Sequence, residues 1–503
     1  MGGILTGLTP APFNAWGLAW IGLVPLWLVV FHSQKSGKKI IFSAFAWGFG
    51  YQGLALFWIT GVHPMTWMGV PWLASIAIAL FCWLFIAFWG TAIVVTWAIG
   101  INFFKQIISK KINKINPVFN ILLGVALWCS LEILWSHTPL WWSPLAYTQS
   151  PYNLVILQLG KLSGFSTVTA AIVLVNALLA EVIVYLKNNY KRSIILLGLP
   201  LGLCLSFHLM GLWMYNLPLK DLEQNAIEVG IIQGNIPNKI KLYAAGWRKA
   251  LEGYTKGYLK LVNKGVDVVL TPETALPFYW QNIINSSNSF YQAVLAKKIP
   301  AWVGAWGKNN NSFTNSLFTL TGDGETYSRY NKYKLVPLGE YIPFESVLGG
   351  IVDRLSPLEA HQAAGEPDQI FDTPFGRIIV SICYESAFPQ HFRRQAAEGG
   401  KFIISSANNA HYSKSMPAQH HALDVMRAIE TDRWVARATN TGYSAIIDPR
   451  GRTLWISQID RYEIYAGTIY SRDTKTLYVR WGNWLTPLFW LLVIGYLSWI
   501  TKN

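Results

Sequence analysis

The chain has 503 residues, 52% of them hydrophobic and only 13% charged, with a formal net charge of +15. That is too apolar for an ordinary water-soluble protein and long enough for two or three domains. The positive charge does not require nucleic acid as a partner, because basic loops facing an anionic membrane surface account for it.

Taken in order, Met1–Thr9 is apolar but too short to span a bilayer. It lacks the basic start of a signal peptide and reads as the tail of a helix that begins earlier. A spanning helix needs roughly 20 mostly apolar residues. The stretches Asn14–Val30, Ile40–Val62, Trp72–Ile99, Val118–Trp135, Val168–Leu186 and Ile194–Met210 are candidates, and Leu485–Ile500 is a last one. Up to Trp213 the only acids are Glu132 and Glu181. The sequence therefore divides into a transmembrane region over residues 1–212, a water-facing domain over 213–483 and a closing helix over 484–503.

Basic residues set the expected orientation. Lys35, Lys38 and Lys39 fall in the first loop, Lys105, Lys110, Lys111 and Lys114 in the third, and Lys187, Lys191 and Arg192 in the fifth. The alternate loops are nearly bare of them, so the positive-inside rule places the odd loops in the cytoplasm and residues 213–483 outside. The Trp- and Pro-rich loop Ser136–Tyr152 is expected at the membrane interface. Glu132, inside an apolar helix, is read either as a functional carboxylate or as one that reaches the headgroups.

Beyond Trp213, short apolar runs recur at Ile227–Gln233, Val266–Thr271, Ala301–Trp306, Ser316–Thr321, Arg377–Ile382, Phe402–Ser406, Trp434–Ala438 and Ser444–Ile447. Amphipathic helix candidates lie between several of them, including Trp247–Lys264 and His420–Asp432. Alternating strands and helices predict an α/β domain, and periodicity alone leaves open whether its sheet is single or doubled.

Polar groups follow strand ends, where chemistry collects in α/β folds. Glu273 follows VDVVLTP, Cys383 follows RIIVSI, and Asn408 and Asn409 follow KFIISSA. The segment Tyr330–Glu345, YNKYKLVPLGEYIPFE, carries Lys332, Lys334 and Glu340, and its prolines and glycine predict a shaped loop. Of four cysteines, Cys383 alone lies outside the apolar segments, with no local partner for a disulfide or a thiolate metal site. A thiol needs a base or a positive neighbour to become a nucleophile. A carboxylate at Glu273 can take its proton, and a lysine ammonium with the backbone N–H after the cysteine can stabilise a tetrahedral oxyanion. Glu, Lys and Cys thus form a kit for acyl transfer. Each also has a plain structural reading: a helix cap, a solvated base, a small core residue.

TPE273, YNK332 and C383YE together resemble the carbon–nitrogen hydrolase (nitrilase) superfamily. The string from Asn331 to Glu345, the QGNIP of Gln233–Pro237 and the strand carrying Asn315 resemble, more narrowly, the apolipoprotein N-acyltransferases, over essentially the whole chain. The resemblance implies a multi-pass α-helical membrane domain of eight helices bearing an α/β nitrilase-like αββα sandwich. It also implies a bacterial inner (plasma) membrane enzyme with its catalytic domain on the periplasmic side, using no metal and no other cofactor. By this resemblance Cys383 takes an acyl chain from a phospholipid as a thioester and passes it to the N-terminal amine of a diacylated apolipoprotein. Glu273 is the base and Lys332 the oxyanion stabiliser. Glu340, Tyr384 and Glu385 match supporting positions, and Gln233, Asn315, Asn408 and His411 are expected substrate contacts. Lys332 is chosen over Lys334 because it stands three residues before Leu335, as in the family string. The chain is expected to act as a monomer. It departs from the family in having Asn408-Asn409-Ala410-His411-Tyr412 where N-D-A-W-F is usual, and Leu242 near an expected Trp. The alternatives are a membrane-tethered amidase or nitrilase acting on a small C–N substrate, and a non-enzymatic module that kept the fold.

Overall fold

Residues 378, 380 and 382 of the run GRIIVSI are apolar and point to one face, with Ile379 and Ser381 on the other. In the computed structural model this run is a strand whose Ile378, Val380 and Ile382 are buried in a core between two sheets. Each such side chain, fully buried, contributes about 1.5–3 kcal/mol. The structure describes all residues except 34–35, 110–115, 187–189, 285–287, 310–311, 338, 342–361, 411 and 503. Lys35, Lys110, Lys111, Lys114, Lys187, Glu345 and His411, all used above, lie outside the described residues.

By internal packing the chain divides into two units. One comprises Met1–Ile59, Leu80–Pro218 and Thr476–Asn503, the other Thr60–Ala79 and Leu219–Lys475.

In the first unit three helices, Pro117–Trp135, Phe165–Leu186 and Leu196–Asn216, are long and apolar enough to cross a membrane. A fourth such helix, Trp72–Ser109, begins in the other unit's Thr60–Ala79 segment. The stretch read as one span at Asn14–Val30 is instead a run of short helical pieces: Trp16–Leu18, Ala19–Gly22, Val24–Trp27 and Leu28–His32. Gly22, and Pro25 with no backbone N–H to give, explain the interruptions. Ile40–Val62 likewise divides into an α-helix, Gly37–Ala55, and a 3-10 turn, Phe57–Val62.

The two acids of this region are both buried and partnered. Glu132 accepts hydrogen bonds from Leu145 N at 2.7 Å, Thr169 Oγ1 at 2.7 Å and Trp128 Nε1 at 3.1 Å. It ties the loop after its own helix to the next helix and does not reach outward. Glu181 meets His32 Nε2 at 2.8 Å. In the loop expected at the interface, Trp141 and Trp142 are buried within the unit, against Phe165 and Trp58.

The second unit holds thirteen strands among its described residues: β1 (Ala226–Gln233), β2 (Val268–Leu270), β3 (Leu276–Tyr279), β4 (Ala301–Asn309), β5 (Ser312–Leu320), β6 (Thr326–Asn331), β7 (Phe371–Thr373), β8 (Gly376–Ile382), β9 (Ile403–Ala407), β10 (Val435–Thr439), β11 (Ala445–Ile447), β12 (Thr453–Ile456) and β13 (Glu463–Tyr470). They form two sheets. The first runs β13-β1-β2-β4-β5-β6 with β3 beside β4, and the second β12-β11-β10-β9-β8-β7. Ile231, Leu270, Trp302 and Leu317 of the first meet Val380, Ile404, Ala436 and Ile446 of the second in one core.

The outer face of the first sheet buries helices Ala244–Val262 and Ser289–Lys297 through Tyr254, Tyr258, Leu261 and Phe290. Against the second sheet, Gln395 of helix Pro389–Ala397 bonds Val380, and Asp424 of helix Ser415–Thr431 accepts from Ser405 Oγ at 2.7 Å. The layers are thus αββα, which resolves the single-or-double question. Strands β1, β2 and β4 are mutually parallel in the first sheet and β8, β9 and β10 in the second, so in each sheet their C-terminal tips share one edge.

Candidate active site

Cys383 stands one residue past β8 and opens a 3-10 turn, Cys383–Ala387. Its φ is +52°, in the left-handed region, where a non-glycine residue is held at a cost of about 1–3 kcal/mol. Glu273 stands past β2 in a similar bend, and its successor Thr274 has φ +48°. Gly304 of β4 passes so close behind this bend that a Cβ there would lie 2.1 Å from the Pro272 carbonyl oxygen. Lys332 follows β6, and its N–H bonds Asn315 O on neighbouring β5 at 2.8 Å. Both sheets therefore supply the group: Glu273 and Lys332 from the first, Cys383 from the second.

These three and Glu340 are brought together in the fold. Lys332 Nζ donates to Glu273 Oε1 at 3.1 Å and to Glu340 Oε1 at 2.7 Å. Asn315 Nδ2 donates to the same Glu273 oxygen at 2.6 Å, and Glu340 Oε2 accepts from Val336 N at 2.8 Å. Glu273, Lys332 and Cys383 are all buried, and the thiol lies 3.8 Å from the Asn408 carbonyl oxygen.

The charges follow from this packing. Burial pushes the Glu273 carboxyl up, but the ammonium groups of Lys332 and Lys241 and the hydrogen bonds from Lys332 and Asn315 outweigh it and hold it below the usual range. Burial works against the Lys332 ammonium, but Glu273 and Glu340 on either side raise it well above an ordinary lysine. Burial and then the nearby Glu273 charge lift Glu340, with Lys332 opposing. Burial first and Glu273 second push the Cys383 thiol up to about 12. At rest the site holds a carboxylate, an ammonium and a neutral thiol.

Glu385 does not face the reacting atoms. It is fully buried and binds two segments at once. One oxygen accepts from Tyr330 Oη at 2.8 Å, Tyr333 N at 2.6 Å and Lys334 N at 3.2 Å, and the other from Ile382 N at 2.7 Å. It locks the Lys332 loop to the cysteine turn. Glu385→Ala strands four donors, so it is expected to lower stability by about 3 kcal/mol or more, with Glu385→Gln between it and wild type. Chemical unfolding in lipid micelles checks the order. Lys334 lies over the rings of Tyr333 and Phe388, 4.7 and 4.9 Å from their centroids, so Lys332 is the lysine that meets Glu273. Tyr384, half-buried, packs edge-on against Phe388.

The expected substrate contacts fare differently. Gln233 is fully buried, and its amide is spent inside the fold. Its oxygen accepts from Thr439, Ser444 and Ser457, and its nitrogen donates to the carbonyls of Gln458 and Arg461. No hydrogen-bonding capacity is left for a ligand, and the residue ties β1 to the loops around β10–β13. Asn315 touches the Glu273 carboxylate itself. The side chain of Asn408 bonds Asn238 and Asn440, and only its main chain meets the thiol. His411 lies outside the described residues.

Sequence reasoning missed Lys241. It is buried in helix Asn238–Lys241, and its Nζ donates to the Glu273 carbonyl oxygen at 3.0 Å. Burial lowers it to about 8, with Glu273 and Cys383 opposing. The only signal was its place in the short stretch that follows QGNIP, four positions after Pro237.

The comparisons with known proteins cover both halves. The carbon-nitrogen hydrolase profile matches residues 228–470, and the apolipoprotein N-acyltransferase N-terminal domain profile matches 2–178. The chain is 55% identical to an apolipoprotein N-acyltransferase of Nostoc sp. over 98% of its own length and 96% of the relative's. It is 49% identical to one of Synechocystis sp., over 98% of each. Among solved structures, an amidase of Nesterenkonia AN1 from the nitrilase superfamily aligns at TM-score 0.39 and 15% identity, over 54% of this chain and all of the other. The full-length matches take in the membrane helices, which disfavours a small-amide hydrolase. With the αββα sandwich and the Glu273–Lys332–Cys383 cluster in place, this chain belongs to the apolipoprotein N-acyltransferase family, within the carbon–nitrogen hydrolase (nitrilase) superfamily.

Proposed function

We propose that this chain moves an acyl chain from a phospholipid ester to the N-terminal amine of a diacylglyceryl-modified cysteine on an apolipoprotein, through a thioester on Cys383. The observation that carries this is the buried Lys332 ammonium bridging Glu273 and Glu340 beside a neutral thiol, in a chain matched end to end.

Since the thiol is protonated at rest, attack and proton loss go together. Glu273 takes the thiol proton as sulfur bonds the ester carbonyl carbon. Lys332 and the N–H of Tyr384 hold the oxyanion. The intermediate collapses to the thioester, and the departing lysophospholipid oxygen takes the proton from Glu273. The neutral acceptor amine then attacks the thioester and gives a proton to Glu273. Collapse forms the amide, and Cys383 leaves as a thiolate that recovers the proton. Burial of all three groups favours the positioned amine over bulk water.

In this reading residues 1–212 form the membrane region, 213–483 the catalytic domain and 484–503 a closing helix. The enzyme acts as a monomer in the bacterial inner membrane, with the catalytic domain on the periplasmic side. The sparse basic residues in alternate loops support that orientation.

Incubation of the purified protein with phospholipid tests the function. The peptide carrying Cys383 is expected to gain the mass of one acyl chain, labile to hydroxylamine and discharged by a diacylated lipopeptide. No adduct with any lipid, together with turnover of small amides, would replace this reading with an amide hydrolase.

A further inference from the structure

Behind the nucleophile lies a line of buried polar groups that the acyl-transfer steps do not use. The carbonyl oxygen of Cys383 meets His420 Nε2 at 2.9 Å. His420 is fully buried on helix Ser415–Thr431, and its other ring nitrogen, Nδ1, faces Asn409 Nδ2 at 3.0 Å. Asn409 Oδ1 is 3.5 Å from Arg437 Nη2. Arg437 in turn pairs with Asp424 and donates through Nε to Tyr443 O at 2.8 Å. Gly442 leaves room for this arrangement, since a Cβ there would lie 2.2 Å from Asn409 Oδ1.

The proton positions follow from what each group can do. A guanidinium only donates, so the oxygen of the Asn409 amide faces Arg437 and its NH2 faces the imidazole. The thioether of Met416, 3.4 Å from the same nitrogen, is an acceptor and agrees. Nδ1 of His420 therefore accepts, the ring proton sits on Nε2, and Nε2 donates to the Cys383 carbonyl. Burial, then the charge of Arg437, press the imidazole down to about 3, so it stays neutral.

A peptide unit is planar and trans, so the C=O of Cys383 and the N–H of Tyr384 point opposite ways from one plane. Fixing the carbonyl fixes the N–H. We propose that His420 is a positioning residue for the nucleophile turn. By holding the Cys383 carbonyl from behind, it aims the Tyr384 N–H at the oxyanion of each tetrahedral intermediate. The inference rests on the acyl-transfer reading above. It also gives the departure at Asn409 a purpose: the amide supplies a donor to Nδ1, which an aspartate would not.

The test compares His420→Gln with His420→Asn in the full-length protein in lipid micelles. The longer amide can place its N–H near the position of Nε2, whereas the shorter one cannot. Single-turnover acylation of Cys383 by phospholipid is read alongside hydrolysis of p-nitrophenyl butyrate, with melting temperatures for each protein. His420→Asn is expected to lower kcat about 10²-fold with KM unchanged, as for loss of one oxyanion donor, and His420→Gln to stay within about tenfold of wild type. Two equally impaired variants, or losses that track melting temperature, would make His420 merely structural and overturn the role. The activated ester separates the two readings. Wild type inert to phospholipid but active on the ester fails the donor reading, while the Gln and Asn variants still decide for or against His420 on the ester.

Discussion

Glu273→Gln is expected to cut acyl transfer about 10³-fold, as for loss of a general base, while making Cys383 more reactive toward iodoacetamide. The opposite signs arise because the carboxylate does two things. In the proposed reaction it accepts the thiol proton, and at rest it is, after burial, the largest influence raising the thiol. Without its charge Lys332 remains, and the thiol falls, with the thiolate fraction rising about tenfold for each unit. In wild type the thiol stands at about 12, so alkylation should climb tenfold per pH unit through pH 10 with no plateau. Peptide mass mapping separates Cys383 from Cys82, Cys129 and Cys204. Slower alkylation in the variant would mean that the resting enzyme already holds a thiolate with a protonated Glu273.

Lys332→Met is expected to abolish acyl transfer and to destabilise the protein by about 3–5 kcal/mol at neutral pH, the cost of breaking a buried ion pair from one side. Lys332 separates two buried carboxylates, and both its contacts are charge-assisted hydrogen bonds. Removing it leaves Glu273 and Glu340 close together with no cation between them, and both rise. A carboxyl raised in the folded state stabilises below its unfolded value and loses that stability as pH rises through the folded value. The deficit should therefore shrink as the pH is lowered toward 5 and grow above it. Lys332→Met combined with Glu340→Gln should regain much of the stability and none of the activity. Unfolding curves across pH check both statements, and a deficit flat with pH would show that the two carboxylates do not interact.

Glu273 and Cys383 were legible because they stand where strands end, visible as the close of an apolar run, whereas Lys332 was legible only through the string around it, since β6 before it was not read as a strand. Of the five strands not read from sequence, β6, β7, β12 and β13 are the outermost of the two sheets. An edge strand has solvent on one flank and carries fewer apolar residues, as TYSRYN of β6 shows. β3, four residues long, pairs only at its ends with β4. Gln233 looked like a ligand contact because an amide suits a ligand and a buried junction equally well, and only the surrounding hydroxyls decide. His420 looked like one turn of an amphipathic helix. Its role depends on Asn409 and Arg437, which arrive from the end of β9 and the middle of β10. Lys241 was hidden for the same reason, since its partner is a main-chain carbonyl, which no sequence pattern records.

Glu273 and Lys332 belong to one sheet and Cys383 to the other, and the two layers are held in register by interdigitated side chains and by buried hydrogen bonds such as those of Gln233 and Glu385. A form that kept its strands and helices while the layers slid past each other would retain its far-ultraviolet dichroism, as loosely packed states do. It would have no reacting pair. Turnover is therefore a stricter gauge of a detergent preparation than dichroism, and material that looks folded by spectroscopy yet is inert has lost its interlayer packing first.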